Sequence, residues 1–179
     1  MKRYFAFLRG INVGGKNKIA MAELKAKADH LGFEEVKTYL NSGNLAFLSS
    51  GDDEEHMTRR LERMIEESFG LEIPVFVIAA EELEEILRHA PDWWGKEDRE
   101  IYDNLIFIMK PATFQEVFHE IGAPKEGLEQ IGNYQDAIFW SFSRKDYQKT
   151  NWWPKTAGAA IGRKLTIRTA GTVRKICAL

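Results

Sequence analysis

Residues 9 to 17 crowd three glycines, two cations and two asparagines into one short stretch: Arg9, Gly10, Ile11, Asn12, Val13, Gly14, Gly15, Lys16 and Asn17. Glycine adopts positive φ without a Cβ penalty and lets backbone N–H groups approach a ligand closely. Successive N–H groups in such a turn can form a concavity that holds an anion. Arg9 and Lys16 would add charge, Gly10, Gly14 and Gly15 the backbone donors, and Asn12 an orienting hydrogen bond, with Asn17 beside them. The spacing matches neither the dinucleotide fingerprint nor the P-loop, since Lys16 is followed by Asn17 rather than Ser or Thr. The competing reading is a glycine-rich turn whose asparagines satisfy backbone groups.

Three further constellations bear on chemistry. Asn41, Ser42 and Asn44, around Gly43, could support the first loop, although Ser, Gly and Asn are also what a hairpin turn demands. Arg168 could close on the same ligand from the second half of the chain. Two tryptophan doublets, Trp93 with Trp94 and Trp152 with Trp153, stand beside charged residues. Adjacent rings in a loop rarely both point inward, so one ring of each pair is expected to be buried between the lobes and the other partly exposed, to stack on bases or to meet another surface.

Metal and nucleophile chemistry lack residues. His30, His56, His89 and His119 stand singly on expected helices, without the spacing of a zinc site, and there is no Gly-x-Ser-x-Gly elbow and no Cys/His pair. No catalytic constellation, metal or cofactor is expected.

Arg9 to Gly15, Asn17, Met21 and Leu24, followed by Thr38, Tyr39, Ser42, Gly43, Asn44 and Phe47, carry a resemblance. They are similar to the signature of the bacterial domain-of-unknown-function family 1697, strongly over the first fifty residues and more weakly to the C-terminus. The family has no established activity, so the resemblance implies a fold and no reaction. One departure stands out. Members of the family close on Thr-x-Arg-Asn-Trp-x-Thr-Val, whereas this chain has Thr166, Ile167, Arg168, Thr169, Ala170, Gly171, Thr172 and Val173. Asn151 and Trp152 have the composition of the missing pair.

The chain has 179 residues, 44% hydrophobic and 29% charged, enough to bury a sizeable core. Lys plus Arg number 25 against 27 Asp plus Glu. That excludes the global basic field of non-specific nucleic-acid binders, though Lys145 to Lys175 is locally basic and Glu54 to Glu100 acidic. The apolar run after Lys2 and Arg3 ends at Arg9, too soon for a signal peptide, and no stretch approaches the ~20 apolar residues of a membrane span. The single cysteine, Cys177, fits a reducing cytoplasm and reads as a small buried apolar residue.

Apolar periodicity gives an element order that occurs twice. The first half reads as a strand at Lys2 to Leu8, a helix from Met21 to Leu31, a hairpin of Glu35 to Leu40 with Leu45 to Leu48, a helix capped by Asp52 and Asp53, and a strand at Val75 to Ile78. A connecting helix spans Glu81 to His89. The second half reads as strands at Leu105 to Met109, Leu128 to Ile131, Ala137 to Phe142 and Leu165 to Arg168. A helix after Pro111, another between Gln148 and Ile161, and a terminal helix from Thr172 complete it. This predicts an α+β protein of two ferredoxin-like βαββαβ lobes side by side, covering 1–90 and 101–179 and joined through 91–100. The function expected is binding of a small, phosphate-bearing anion at the first loop by a cytoplasmic protein, monomer or homodimer. A nucleic-acid-binding module and a protein–protein interaction module without a small ligand are the alternatives.

Overall fold

The computed structural model describes residues 1–51, 53–158 and 160–179. Asp52, expected to share a helix cap with Asp53, lies outside them.

The chain divides into two compact units, Met1–Glu84 with Lys175–Leu179, and Glu85–Arg174. In the first, strands β1 (Lys2–Leu8), β2 (Glu34–Tyr39), β3 (Asn44–Ser49) and β4 (Val75–Ala79) alternate with helices α1 (Met21–His30) and α2 (Glu54–Phe69). The strands form an antiparallel sheet in the order β2-β3-β1-β4, the ferredoxin-like arrangement that the element order predicts. Tyr4, Ala6 and Leu8 point to the helices, where Leu24 and Ala28 of α1 and Met57, Leu61, Met64 and Ile65 of α2 complete a core. Phe5 and Phe7 alternate onto the other face and are buried too, which is why β1 reads as one continuous apolar run. Asp53 caps α2 by accepting from the His56 amide at 2.7 Å, and Gly70 ends it in the left-handed region at φ 66°.

Helix α3 (Ala80–Arg88) follows, and the second unit repeats the topology. Its strands β5 (Ile101–Ile108), β6 (Glu129–Tyr134), β7 (Ala137–Ser143) and β8 (Leu165–Thr169) pair in the order β6-β7-β5-β8. Helix α4 (Phe114–Ile121) starts at a capping box in which Thr113 accepts from the Glu116 amide while the Glu116 carboxylate accepts from the Thr113 amide. Ile106, Ile108, Ile138, Trp140 and Phe142 meet Val117 and Ile121 of α4 and Trp152 of α5 (Trp152–Gly158) in a second core.

Several boundaries move. β5 starts four residues before Leu105, because Ile101 to Asn104 continue the pairing with β7 although Asp103 and Asn104 interrupt the apolar run. The expected helix from Gln148 to Ile161 comprises a 3-10 turn at Tyr147–Lys149, α5 with Pro154 in its first turn, and a 3-10 segment at Ala160–Lys164. The terminal helix α6 (Ala170–Cys177) begins two residues before Thr172. At the edge of the first sheet the register of β2 slips between Glu34 and Lys37, and Glu35 stands at φ 50°.

Candidate functional site

The first loop is a miniature hairpin. Gly14 at φ 57° and Gly15 at φ 75° occupy the two central positions of a turn that the Lys16 amide closes on the Val13 carbonyl at 3.0 Å. Positive φ at both positions is the signature of the type I′ turn that suits a two-residue hairpin, and Gly-Gly is among its preferred pairs. Outside it, the Asn12 amide donates to the Asn17 carbonyl at 3.1 Å. Gly10, at φ 73°, opens the loop, and its carbonyl accepts from Asn17 Nδ2 at 2.9 Å.

Asn12 ties the loop together. Its Nδ2 donates to the Ile19 carbonyl at 3.0 Å and to the Asn41 carbonyl at 2.8 Å, while its Oδ1 accepts from the Ile19 amide at 2.9 Å. Both amide hydrogens are therefore engaged within the protein. Its backbone stands at φ 54°, a left-handed conformation that asparagine tolerates better than most residues.

The bond to Asn41 joins the loop to the β2–β3 turn. Antiparallel pairing of β1 with β3 sets Phe7 against Asn44, so the turn that starts β3 lies where β1 ends. The Leu8 amide donates to the Gly43 carbonyl at 2.8 Å. Gly43, at φ 85°, leaves room for its neighbours: a Cβ there would stand 2.7 Å from Ile11 Cδ1 and 2.8 Å from Leu8 Cβ. Asn44 is fully buried and donates to the Tyr39 carbonyl at 2.7 Å and to Ser42 Oγ at 3.0 Å. The two sequence motifs are thus one hydrogen-bonded body.

Within this body, Arg9 is half-buried and its amide donates to the Pro74 carbonyl at 2.9 Å, whereas Lys16 and Lys18 are exposed. The amides of Gly10, Gly14 and Gly15 have no hydrogen-bond partner among the described residues. Val13 and Leu40, at the tips of the two turns, are exposed apolar side chains.

The remaining candidates lie in the second unit. Arg168 is buried on β8, its Nη1 donates to the Ile167 carbonyl at 2.9 Å, and burial lowers its guanidinium to about 10. Thr169, at the first of the two departures from the family ending, accepts from the Thr172 amide at 3.2 Å at the start of α6, an N-cap role that Asn also fills well. Asn151 donates to the carbonyls of Ile121 and Ala123, and Trp152 Nε1 donates to that of Gly122, so both fasten the end of α4. Each doublet has one buried ring, but the expected place between the lobes does not hold for Trp152, which lies in the core of its own unit: Trp94 and Trp152 are buried, Trp93 is half-buried and Trp153 is exposed. The buried rings have partners inside their own unit, Phe139 for Trp94 and Trp140 for Trp152.

The histidines take local roles. His30 and His89 bond to the Ala26 and Glu85 carbonyls, and His89 stacks on Tyr134 with centroids 3.8 Å apart. Among the described residues no group of His, Cys, Asp and Glu could hold a metal ion, and no helix is long and apolar enough to cross a membrane.

Sequence reasoning missed Glu129. This buried carboxylate accepts through Oε1 from the amides of Lys125 at 2.9 Å and Asn151 at 2.7 Å, and through Oε2 from Trp140 Nε1 at 3.1 Å, while the Trp152 amide approaches both oxygens at 3.3 Å. A glutamate opening a strand carries no motif that would announce this.

Two ferredoxin-like units, the first carrying a glycine loop locked to a hairpin turn, define the class. The chain belongs to the DUF1697 family of proteins of unknown function, whose model matches residues 1–139. A solved structure, that of the conserved bacterial protein SP0830 from Streptococcus pneumoniae, is similar over 99% of this chain and 97% of that one, with 31% identity and a TM-score of 0.85. A search among curated proteins finds no match.

Proposed function

We propose that the first unit binds a small, phosphate-bearing anion on the loop from Gly10 to Lys16, in a reducing cytoplasm. The observation that carries this reading is the set of three exposed glycine amides, unpartnered among the described residues, beside the exposed Lys16 ammonium. Asn12 and Asn17 serve the site indirectly. By holding the loop in one conformation they remove the ordering cost that a floppy glycine loop would incur on binding. The proposal is of binding, with no reaction assigned.

The test is an amide-resolved NMR titration with inorganic phosphate, a nucleoside monophosphate and a sugar phosphate. At least one ligand moves the Gly10, Gly14 and Gly15 resonances together, and Lys16→Ala weakens that ligand by roughly 1–3 kcal/mol, as expected for a lost charge-assisted hydrogen bond. Unmoved glycine amides with all three ligands overturn the reading. A protein partner is the second reading, carried by the exposed Val13 and Leu40 at the tips of the joined turns. A mass that rises with concentration and falls back in Val13→Ser favours it.

A further inference from the structure

The second unit carries a separate cleft on the sheet face turned away from its helices. Alternation along the strands puts Ile138, Trp140 and Phe142 toward α4 and α5, and Ser141 and Ser143 on the opposite side with their cross-strand neighbours Gln130, Ile101 and Asp103. Trp93, Ile101, Gln130, Ser141 and Ser143 border a cavity of about 230 Å3 there.

Gly132 makes the wall. A Cβ at this position would stand 3.0 Å from Pro91 Cγ and 3.4 Å from Trp93 Cζ2, and its φ is outside the left-handed region. The glycine therefore gives room to the 91–94 segment, which a Cβ would press back by a few tenths of an ångström, and the Trp93 ring lies beside the cleft. Trp94, next in sequence, fixes that segment through its Nε1, which donates to the Asn104 carbonyl at 2.8 Å.

The polar groups around the cleft are open. Ser141 Oγ donates to Asp103 Oδ1, which leaves the serine lone pairs free to accept. The Gln130 side-chain amide, the Ser143 hydroxyl and the Trp93 indole N–H have no partner among the described residues. Glu129, which also borders the cavity, is excluded from ligand contact because both oxygens are already engaged by backbone and indole N–H groups.

These features select a ligand class. No lysine or arginine borders the cavity, so an anion has nothing to neutralise it. The volume is below the ~300–1,000 Å3 of pockets for drug-sized ligands, which limits the occupant to about one ring. An aromatic wall offers apolar contact to a ring face, while the Ser141 and Ser143 hydroxyls accept from donors and the Gln130 side-chain amide donates. We infer that this cleft binds a neutral, hydroxyl-bearing ring of monosaccharide size, held against Trp93 with its hydroxyls donating to Ser141 and Ser143 and accepting from Gln130. The inference concerns a different unit from the phosphate-bearing ligand and stands independently of it.

The experiment is a titration of the intact protein with glucose, galactose and ribose, each to tens of millimolar, observed through the indole N–H resonances of the five tryptophans and the Gln130 side-chain amide. Trp93→Phe assigns the relevant indole. At least one sugar moves the Trp93 indole and the Gln130 amide while leaving the Gly14 amide in place. Gln130→Ala, an exposed change that leaves the fold intact, weakens the effect several-fold, and Ser143→Ala does the same, as expected for a lost hydrogen-bond partner. No movement with any of the three sugars overturns the inference. So does a response that survives in Trp93→Ala, or one produced by inorganic phosphate at the same resonances.

Discussion

The side-chain amide of Asn12 donates to the main-chain carbonyl of Asn41 at 2.8 Å, across 29 positions of sequence. That bond converts two turns, each ordinary alone, into one rigid platform at the end of β1. Asn12→Ala forfeits it together with two bonds to Ile19 and places a residue with a Cβ and no polar side chain at φ 54°. We expect a loss of about 2–4 kcal/mol in urea unfolding. Asn12→Gly removes the same bonds while tolerating the backbone, so it falls between the two. Equal stability of wild type and Asn12→Ala would show the bonds to be idle.

Gly14 and Gly43 separate backbone strain from crowding. Both have positive φ, but a Cβ at Gly14 has nothing within 4 Å, whereas one at Gly43 collides with Leu8 and Ile11. Gly14→Ala should cost about 1–2 kcal/mol, the price of a left-handed alanine. Gly43→Ala should cost at least about 3 kcal/mol once overpacking is added. A Gly43→Ala protein as stable as Gly14→Ala would mean that β1 and the turn part easily.

Glu129→Ala strands the N–H groups of Lys125, Asn151, Trp140 and Trp152 that the carboxylate now serves. Unsatisfied buried donors cost about 1–3 kcal/mol each, and water can reach some of them, so a loss of about 3–5 kcal/mol is expected. Denaturation followed by the tryptophan signal reads it directly, because two of the donors are tryptophans.

Burial, with a smaller push from Glu84, raises the Cys177 thiol from its ordinary value of 9.0 to about 11. The fold thus favours the protonated thiol. Its contribution to stability is fully present below pH 9 and is lost as the pH rises through 11. At pH 8 iodoacetamide should alkylate native Cys177 about a hundredfold more slowly than the unfolded chain, since thiolate is the reacting form. Matching rates would show the thiol to be unperturbed.

The sequence resolved elements better than their meeting points. Periodicity placed the eight strands of the described residues to within a few residues, and each tryptophan doublet has one buried ring, though Trp152 is buried in its own unit's core and not between lobes. The loop's glycines were legible as positive-φ positions, yet Gly14 and Gly15 take it for a type I′ turn that alternation could not announce in so short a ladder. Whether the Asn41 turn would reach the first loop depended on the β1–β3 register, a long-range property absent from local composition. Glu129 was illegible for the same reason, since its donors come from 125, 140, 151 and 152.

The slip in β2 between Glu34 and Lys37 has a consequence for the chain in a crowded cell. β2 is an outer strand, with one row of backbone groups facing away from the sheet. Because Glu35 leaves the extended conformation, that row is broken, and Glu34, Glu35 and Lys37 set charges of both signs along it. A second molecule offering a straight strand finds neither a continuous ladder nor an uncharged approach, so the first unit resists growing into fibres by lateral strand addition.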